Sequence, residues 1–265
     1  MSSVTVSTLR KMKRDGERFA VLTAYDASFA TILDRAGVEV ILVGDTLGNV
    51  VQGRESTLPV TLDDMVYHTA NVRRGAEHAL VMADMPFMSC ATPERALLNA
   101  GRLMQEGGAH MVKVEGGALM LDAVRLLAAH GIPVCSHLGL LPQSVYKLGG
   151  YRVQGREPAQ ADAMVRDAEA LQEAGADVLL LECVPAALAA RITRMADIPV
   201  IGIGAGPNCD AQVLVLYDML GVTPGKRPRF SRDFLEGAGS VTAAVEAYVA
   251  AVKSGSFPGP EHTFE

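Results

Sequence analysis

Residues 110–138 read HMVKVEGGALMLDAVRLLAAHGIPVCSHL. A short β-favouring run, 110–115, stops at Glu115. An amphipathic stretch, 119–130, follows it, with apolar positions at helical spacing. Gly131 then separates that stretch from a second short run, 132–136, which suits a left-handed helix C-cap. The unit is strand, helix, strand, and parallel strands need such a crossover.

The unit repeats outward in both directions. Runs at 19–24, 39–43 and 79–83 precede it, and runs at 177–182, 198–203 and 212–217 follow. Amphipathic stretches at 26–36, 63–74, 93–106 and 158–174 lie between them. Apolar strands alternating with helices mark a parallel sheet covered by helices. Eight such runs favour closure into a barrel over an open sheet. The eighth run has a second reading, because residues 210–220 also fit a helix and periodicity does not separate short apolar runs. Gly37 and Gly175 sit at helix-to-strand junctions, as Gly131 does, and Thr92-Pro93 places a capping side chain before a proline at the first helical position.

Length and composition agree with this reading. The chain has 265 residues, and a (β/α)₈ barrel needs about 250. No Pro/Ser-rich linker or charge block divides it, and no repeat of fixed period occurs. The expectation is one α/β domain over residues 1–265, a (β/α)₈ TIM barrel with extra terminal helices. The last helix is expected at 241–253, with a tail at 257–265. The hydrophobic share of 49% and charged share of 20% are ordinary for a globular protein. A net charge of -6 speaks against nucleic acid as the main partner. No apolar run reaches the ~18 residues of a membrane span, and no signal peptide is read at the N-terminus, so a cytoplasmic protein is expected. Cys90, Cys135, Cys183 and Cys209 form no C-x-x-C pair and read as buried reduced thiols.

Polar residues cluster where the apolar runs stop. Asp45, Asp84, Glu115, His137 and Glu182 mark the ends of the second to sixth runs. On a barrel these ends share one rim, where active sites lie. Two long connections, 44–59 and 138–157, leave the same rim, and connections beyond ~12–15 residues are usually functional. Four carboxylates around one mouth repel each other and need a cation, a proton or a lysine. A hard divalent ion with oxygen ligands fits, which favours Mg²⁺. Lys113 stands two residues before Glu115, so both side chains share a strand face. It can pair with the acids, hold a substrate anion or, in a different chemistry, form a Schiff base. Each residue also has a plain structural reading. Asp45 and Asp84 can begin turns, Glu115 and Glu182 can cap helices, and His137 can be a hydrogen-bonded core group. Gly202-Ile203-Gly204-Ala205-Gly206 is not a dinucleotide fingerprint; it fits a backbone approach to a ligand or a simple turn.

Longer motifs carry a specific resemblance. TAYD (23–26), LVGDTLGNVVQG (42–53), STLPVTLDDMVYHTANVRRG (56–75), ADMPFMS (83–89), MVKVEGG (111–117), HLGLLPQS (137–144), GGYRVQGR (149–156), LECVP (181–185) and IPVIGIGAG (198–206) resemble the ketopantoate hydroxymethyltransferase family. The resemblance implies transfer of a one-carbon unit from 5,10-methylenetetrahydrofolate to 3-methyl-2-oxobutanoate in pantothenate synthesis, through a Mg²⁺-stabilised enolate. By motif it implies Mg²⁺, one per subunit, at Asp45, Asp84 and Glu115. Asp45, Thr46, Asp84, Lys113 and His137 are implied at the 2-oxo acid, with Glu182 as proton acceptor. Many members carry Ser where this chain has Thr46, which keeps the hydroxyl and adds a methyl. A homodecamer is also implied. The alternative is another metal-dependent 2-oxo acid aldolase or lyase on a TIM barrel. A binding protein without catalysis has no use for Glu182 as a base.

Overall fold

Short apolar segments alternate with amphipathic ones along the whole chain, and each strand reaches its parallel neighbour through a helix. The computed structural model describes residues 3–265. In chain order the elements are α1 (Val6–Asp15), β1 (Phe19–Thr23), α2 (Ala27–Arg35), β2 (Val40–Val43), α3 (Leu47–Val50), α4 (Leu62–Gly75), β3 (Leu80–Asp84), α5 (Pro93–Gln105), β4 (Met111–Glu115), α6 (Leu121–Ala129), β5 (Val134–Gly139), α7 (Val145–Leu148), α8 (Pro158–Glu173), β6 (Val178–Glu182), α9 (Ala186–Met195), β7 (Val200–Ile203), β8 (Ala211–Leu214), α10 (Leu216–Met219) and α11 (Val241–Ser254). The strands pair in parallel in sequence order, and β8 closes on β1. This is the expected (β/α)₈ barrel.

Alternation along each strand sorts the core into two layers. Phe19, Val21, Leu42, Met82, Met111 and Leu180 pack inside the barrel with their neighbours. Leu22, Ile41, Val81, Val112, Leu181 and Leu214 face outward against the helices. Leu9 of α1 joins the inner cluster, so the N-terminal helix plugs the end of the barrel opposite the carboxyl rim. Thr5 begins α1 with a capping box and Gly16 ends it in a left-handed conformation.

Several boundaries differ from the sequence expectation. β5 runs Val134–Gly139; it starts two residues later than expected, because Pro133 has no N–H to give a ladder, and ends three residues later. His137 pairs with Glu115 on one side and Leu180 on the other, so it lies inside the strand and not after it. β8 stops at Leu214 and α10 begins at Leu216, where the Leu216 N–H donates to Thr23 Oγ1 at 2.9 Å. The long connections contain α3 and α7, helical turns too short to show a period.

Candidate active site

Parallel strands put all their carboxyl ends on one rim, and that is where the polar layer begins. Asp84, Glu115 and Glu182 are the last residues of β3, β4 and β6, and Asp45 follows β2 by one glycine. Lys113 and Glu115 share the inward face of Met111, and His137 shares that of Cys135. The register staggers them, pairing Asp84 with Lys113, Glu115 with His137, and Gly139 with Glu182. Asp45, Asp84, Lys113 and His137 are all less than 5% exposed. Glu115 and Glu182 cap no helix, since the turn after β4 and α9 are preceded by Gly117 and Pro185 without side-chain caps.

Lys113 is the hub. Its Nζ lies 2.9 Å from Asp84 Oδ1 and 3.9 Å from Glu115 Oε1. The first is a close ion pair and the second a longer charge contact. Burial opposes the ammonium, but Asp84, Glu115 and Asp45 outweigh it and push the Lys113 pKa up. Burial, then repulsion from Asp84 and Glu115, pushes Asp45 well above the usual carboxylate range. Burial also raises Asp84, against the pull of Lys113. Burial works against the charge on Glu115 too, yet His137 and Lys113 hold its carboxyl low.

His137 stands between the lysine and the acids. Its Nδ1 is 3.2 Å from Lys113 Nζ and 3.7 Å from Glu115 Oε1, and its Nε2 is 3.3 Å from Glu182 Oε2. Burial and Lys113 oppose a second proton on the ring, while Glu115 and Glu182 draw one on with a net upward shift. Two cationic donors do not share a 3.2 Å contact, so the stronger base, Lys113, keeps the proton and donates to Nδ1. That tautomer turns Nε2–H toward Glu182. Glu182 is the least enclosed of the acids, with 15% of its side chain exposed. One oxygen faces His137 and the carboxylate lines the cavity.

Motif reading missed two residues of the site, one of which fastens it. Gln143, in the turn Pro142–Ser144 after β5, donates from Nε2 to Asp45 Oδ2 at 2.8 Å and to the Met85 carbonyl at 3.0 Å. Its backbone N–H donates to Glu115 Oε2 at 3.1 Å. Its place in a long rim loop and in the HLGLLPQS motif hinted at this. Thr57 Oγ1 is buried, lines the cavity and has no partner among the described residues.

Four carboxylates against one ammonium leave the site short of positive charge, and the upward shift of Asp45 expresses that deficit. Asp45 and Asp84 are direct neighbours, since the Asp45 N–H donates to Asp84 Oδ2 at 3.0 Å. Among the described residues no three His, Cys, Asp or Glu side chains form a ready-made ring around an ion. Lys113 touches both Asp84 and Glu115 and turns the free oxygen of Glu115 toward itself and His137. A hard ion that takes one or two carboxylates and completes its shell with water and substrate oxygens fits this donor set, and Mg²⁺ behaves so.

The cavity above these residues measures about 530 Å³. Thr46, Asn49, Leu180, Cys183 and Ile203 are among the residues that line it. Tyr151 hangs over it from the loop before α8, and burial followed by Glu182, Asp45 and Glu115 raises the pKa of its phenol. The four cysteines are free, and burial pushes the Cys135 thiol up to about 12 and Cys90 to about 11. No helix among the described residues is long and apolar enough to cross a membrane.

Comparison with known proteins gives one family. The family model described as ketopantoate hydroxymethyltransferase matches residues 3–260. A 3-methyl-2-oxobutanoate hydroxymethyltransferase of Nitrosococcus oceani is 62% identical over 258 residues, covering 97% of this chain and 98% of its own. Its counterpart in Alkalilimnicola ehrlichii is 63% identical over 261 residues, covering 98% and 94%. Among solved structures, a putative lyase/mutase from Burkholderia cenocepacia superposes with a TM-score of 0.62 at 18% identity, covering 97% of each chain. A 2,3-dimethylmalate lyase of the PEP mutase/isocitrate lyase superfamily superposes at 0.60 and 18%, covering 83% and 84%. These structural likenesses are likenesses of fold.

Proposed function

The chain belongs to the ketopantoate hydroxymethyltransferase family, and from that premise we propose that it moves the methylene carbon of 5,10-methylenetetrahydrofolate to 3-methyl-2-oxobutanoate. It is an enzyme, a hydroxymethyltransferase of pantothenate synthesis. The observation that carries the finer reading is the polar floor of the cavity. A charged lysine lies between Asp84 and Glu115, and a carboxylate, Glu182, opens onto the same space.

Asp45 and Asp84 would hold one Mg²⁺ per subunit, with Glu115 as the third acidic position. When bound, the ion supplies Lewis-acid polarisation of the keto group and charge for an enolate. Lys113, buried and charged, pairs with the substrate anion. The Thr46 hydroxyl caps no backbone group in α3 and is free for the 2-oxo acid. His137, held by Lys113, presents Nε2–H and orients Glu182. Glu182 takes the hydrogen from the carbon beside the ketone. That carbon bonds to the donor's methylene carbon, whose bonds to the folate nitrogens break. Water supplies the hydroxyl oxygen, the two folate nitrogens take up one proton from Glu182 and one from that water, and 2-dehydropantoate and tetrahydrofolate leave. The Schiff-base alternative loses support because the acids around Lys113 hold it protonated. The proposal includes a cytoplasmic homodecamer, whose contacts would cover exposed apolar side chains such as Tyr67, Leu98 and Leu119.

Proton exchange tests the base. Glu182→Gln should bind 3-methyl-2-oxobutanoate but lose ~10²–10⁴-fold in exchange of its C3 hydrogen in D₂O, followed by NMR. Exchange within about threefold of the wild type, far inside that general-base range, would sink the assignment.

A further inference from the structure

The cavity of about 530 Å³ is far larger than a five-carbon acid needs; sites of ~300–1,000 Å³ take drug-sized ligands. Its depth sorts by exposure. The acids and Lys113 form a buried floor, while Tyr151, Arg152, Lys226 and Arg229 are exposed around the mouth. Arg152, Lys226 and Arg229 take part in no salt bridge among the described residues, although Arg227 pairs with Asp233 next door. The net charge of the protein is -6, so three unpaired cations lining one mouth are a local reversal of sign. Asp218 also lines the cavity, but its carboxylate accepts from Thr223 Oγ1 at 2.6 Å.

An aromatic wall stands beside these cations. Phe230 and Phe264 converge on Gly204, whose φ is +59°; a methyl group there would lie 3.0 Å from Phe264 and 3.1 Å from Phe230. Phe264 belongs to the C-terminal tail, which is tied down across the rim. Its carbonyl accepts from the Ala186 N–H at 3.0 Å, and the Glu265 carbonyl accepts from Arg156 Nε at 3.0 Å. The Arg229 guanidinium lies 5.5 Å from the Phe264 ring centre, and its Nε donates to the Glu261 carbonyl at 3.0 Å. The terminal guanidinium nitrogens have no acceptor among the described residues.

We propose that this outer chamber is the subsite of the one-carbon donor, with its ring system against Phe230 and Phe264 and its glutamyl carboxylates on Arg229, Lys226 and Arg152. The placement rests on the folate donor proposed above. Planar rings gain from stacking on aromatic faces, and a carboxylate gains most from guanidinium donors. The floor below carries negative charge and would repel those carboxylates, so the tail points outward and the methylene-bearing end inward.

Calorimetric binding of tetrahydrofolate and of tetrahydropteroate, which lacks the glutamate, separates ring from tail. The wild type should bind tetrahydrofolate roughly tenfold or more tightly than tetrahydropteroate, the scale of one or two charge-assisted hydrogen bonds. Lys226→Ala/Arg229→Ala should bring the two ligands within about threefold, while Arg229→Lys, which keeps the charge, should retain most of the preference. Phe264→Leu should weaken both ligands alike. Melting temperatures within about 3 °C of wild type would show that the fold persists. A full preference for tetrahydrofolate in the double alanine variant overturns the placement and leaves the donor assignment intact. A wild-type protein that binds neither ligand removes the donor assignment, and this inference with it.

Discussion

At the scale of single residues, the site is an exercise in compensating buried charge. Asp45 and Asp84 sit side by side at 1% and 2% exposure, and Lys113 offsets only part of their repulsion. A cation that enters should therefore stay only if both aspartates keep their charge. Asp45→Asn and Asp84→Asn should each weaken Mg²⁺ binding by calorimetric titration, on the order of tenfold or more for loss of one charged oxygen ligand. Both variants should keep their circular-dichroism spectrum, since the rim lies outside the packed barrel core. Unchanged Mg²⁺ affinity in both would remove these residues from the metal site. Gln143 belongs to the same balance, because one side chain and one N–H fasten Asp45 and Glu115 at once.

At the scale of elements, buried carboxylates also tie helices to strands away from the site. Asp34 near the end of α2 accepts from the N–H groups of Ala79 and His78 at 2.7 and 2.9 Å, just before β3, and from His78 Nδ1 at 3.0 Å. Burial opposes its charge, yet these donors, Ala79 first, hold its carboxyl below the usual range. A depressed pKa stabilises the fold above the unfolded-state value of about 3.9 and ceases to do so as pH falls through the folded value. Asp34→Ala leaves the Ala79 N–H buried without its partner and should cost about 1–3 kcal/mol at neutral pH. Urea unfolding of variant and wild type should show the gap narrowing as pH drops below about 3.9. An equal gap at neutral and acid pH would mean that the charge on Asp34 contributes nothing. Helix packing leaves little slack nearby, since a Cβ on Gly75 of α4 would lie 2.2 Å from the Ala27 carbonyl oxygen at the start of α2.

At the scale of the whole molecule, closure is the event on which everything else depends. β8 must find β1 across nearly the full chain, and α11 locks that seam. Tyr248 of α11 donates its hydroxyl within reach of the Val21 carbonyl at 3.0 Å and the Gln212 carbonyl at 2.9 Å, one on each strand of the seam. Tyr248→Phe removes that bridge with almost no change of shape and should cost about 1–2 kcal/mol, the value of a buried hydrogen bond and its desolvated partner. A melting temperature equal to wild type would show that packing around Phe234 and Phe257 alone holds the seam.

The amino-acid sequence by itself determined the strand–helix alternation, the closed-barrel class and the rim on which the polar residues lie. Those follow from local periodicity, from glycine and proline stereochemistry, and from the rule that parallel strands end together. It also marked Asp45, Asp84, Glu115 and Glu182, because a charge at the end of an apolar run stands out in one dimension. It did not reveal Gln143 or Thr57, whose residue types are unremarkable in a loop and whose importance comes from what they face. Nor did it show that β5 carries His137 within the strand, since the ladder past Ser136 is set by pairing with β4 and β6. The closest contacts of the site are long-range ones: Gln143 reaches Asp45, Lys113 reaches His137, and Phe264 comes back over Gly204. Only tertiary structure decided these, because barrel closure brings together residues from separate strands and loops, and no local pattern records which side chains will then share one cavity.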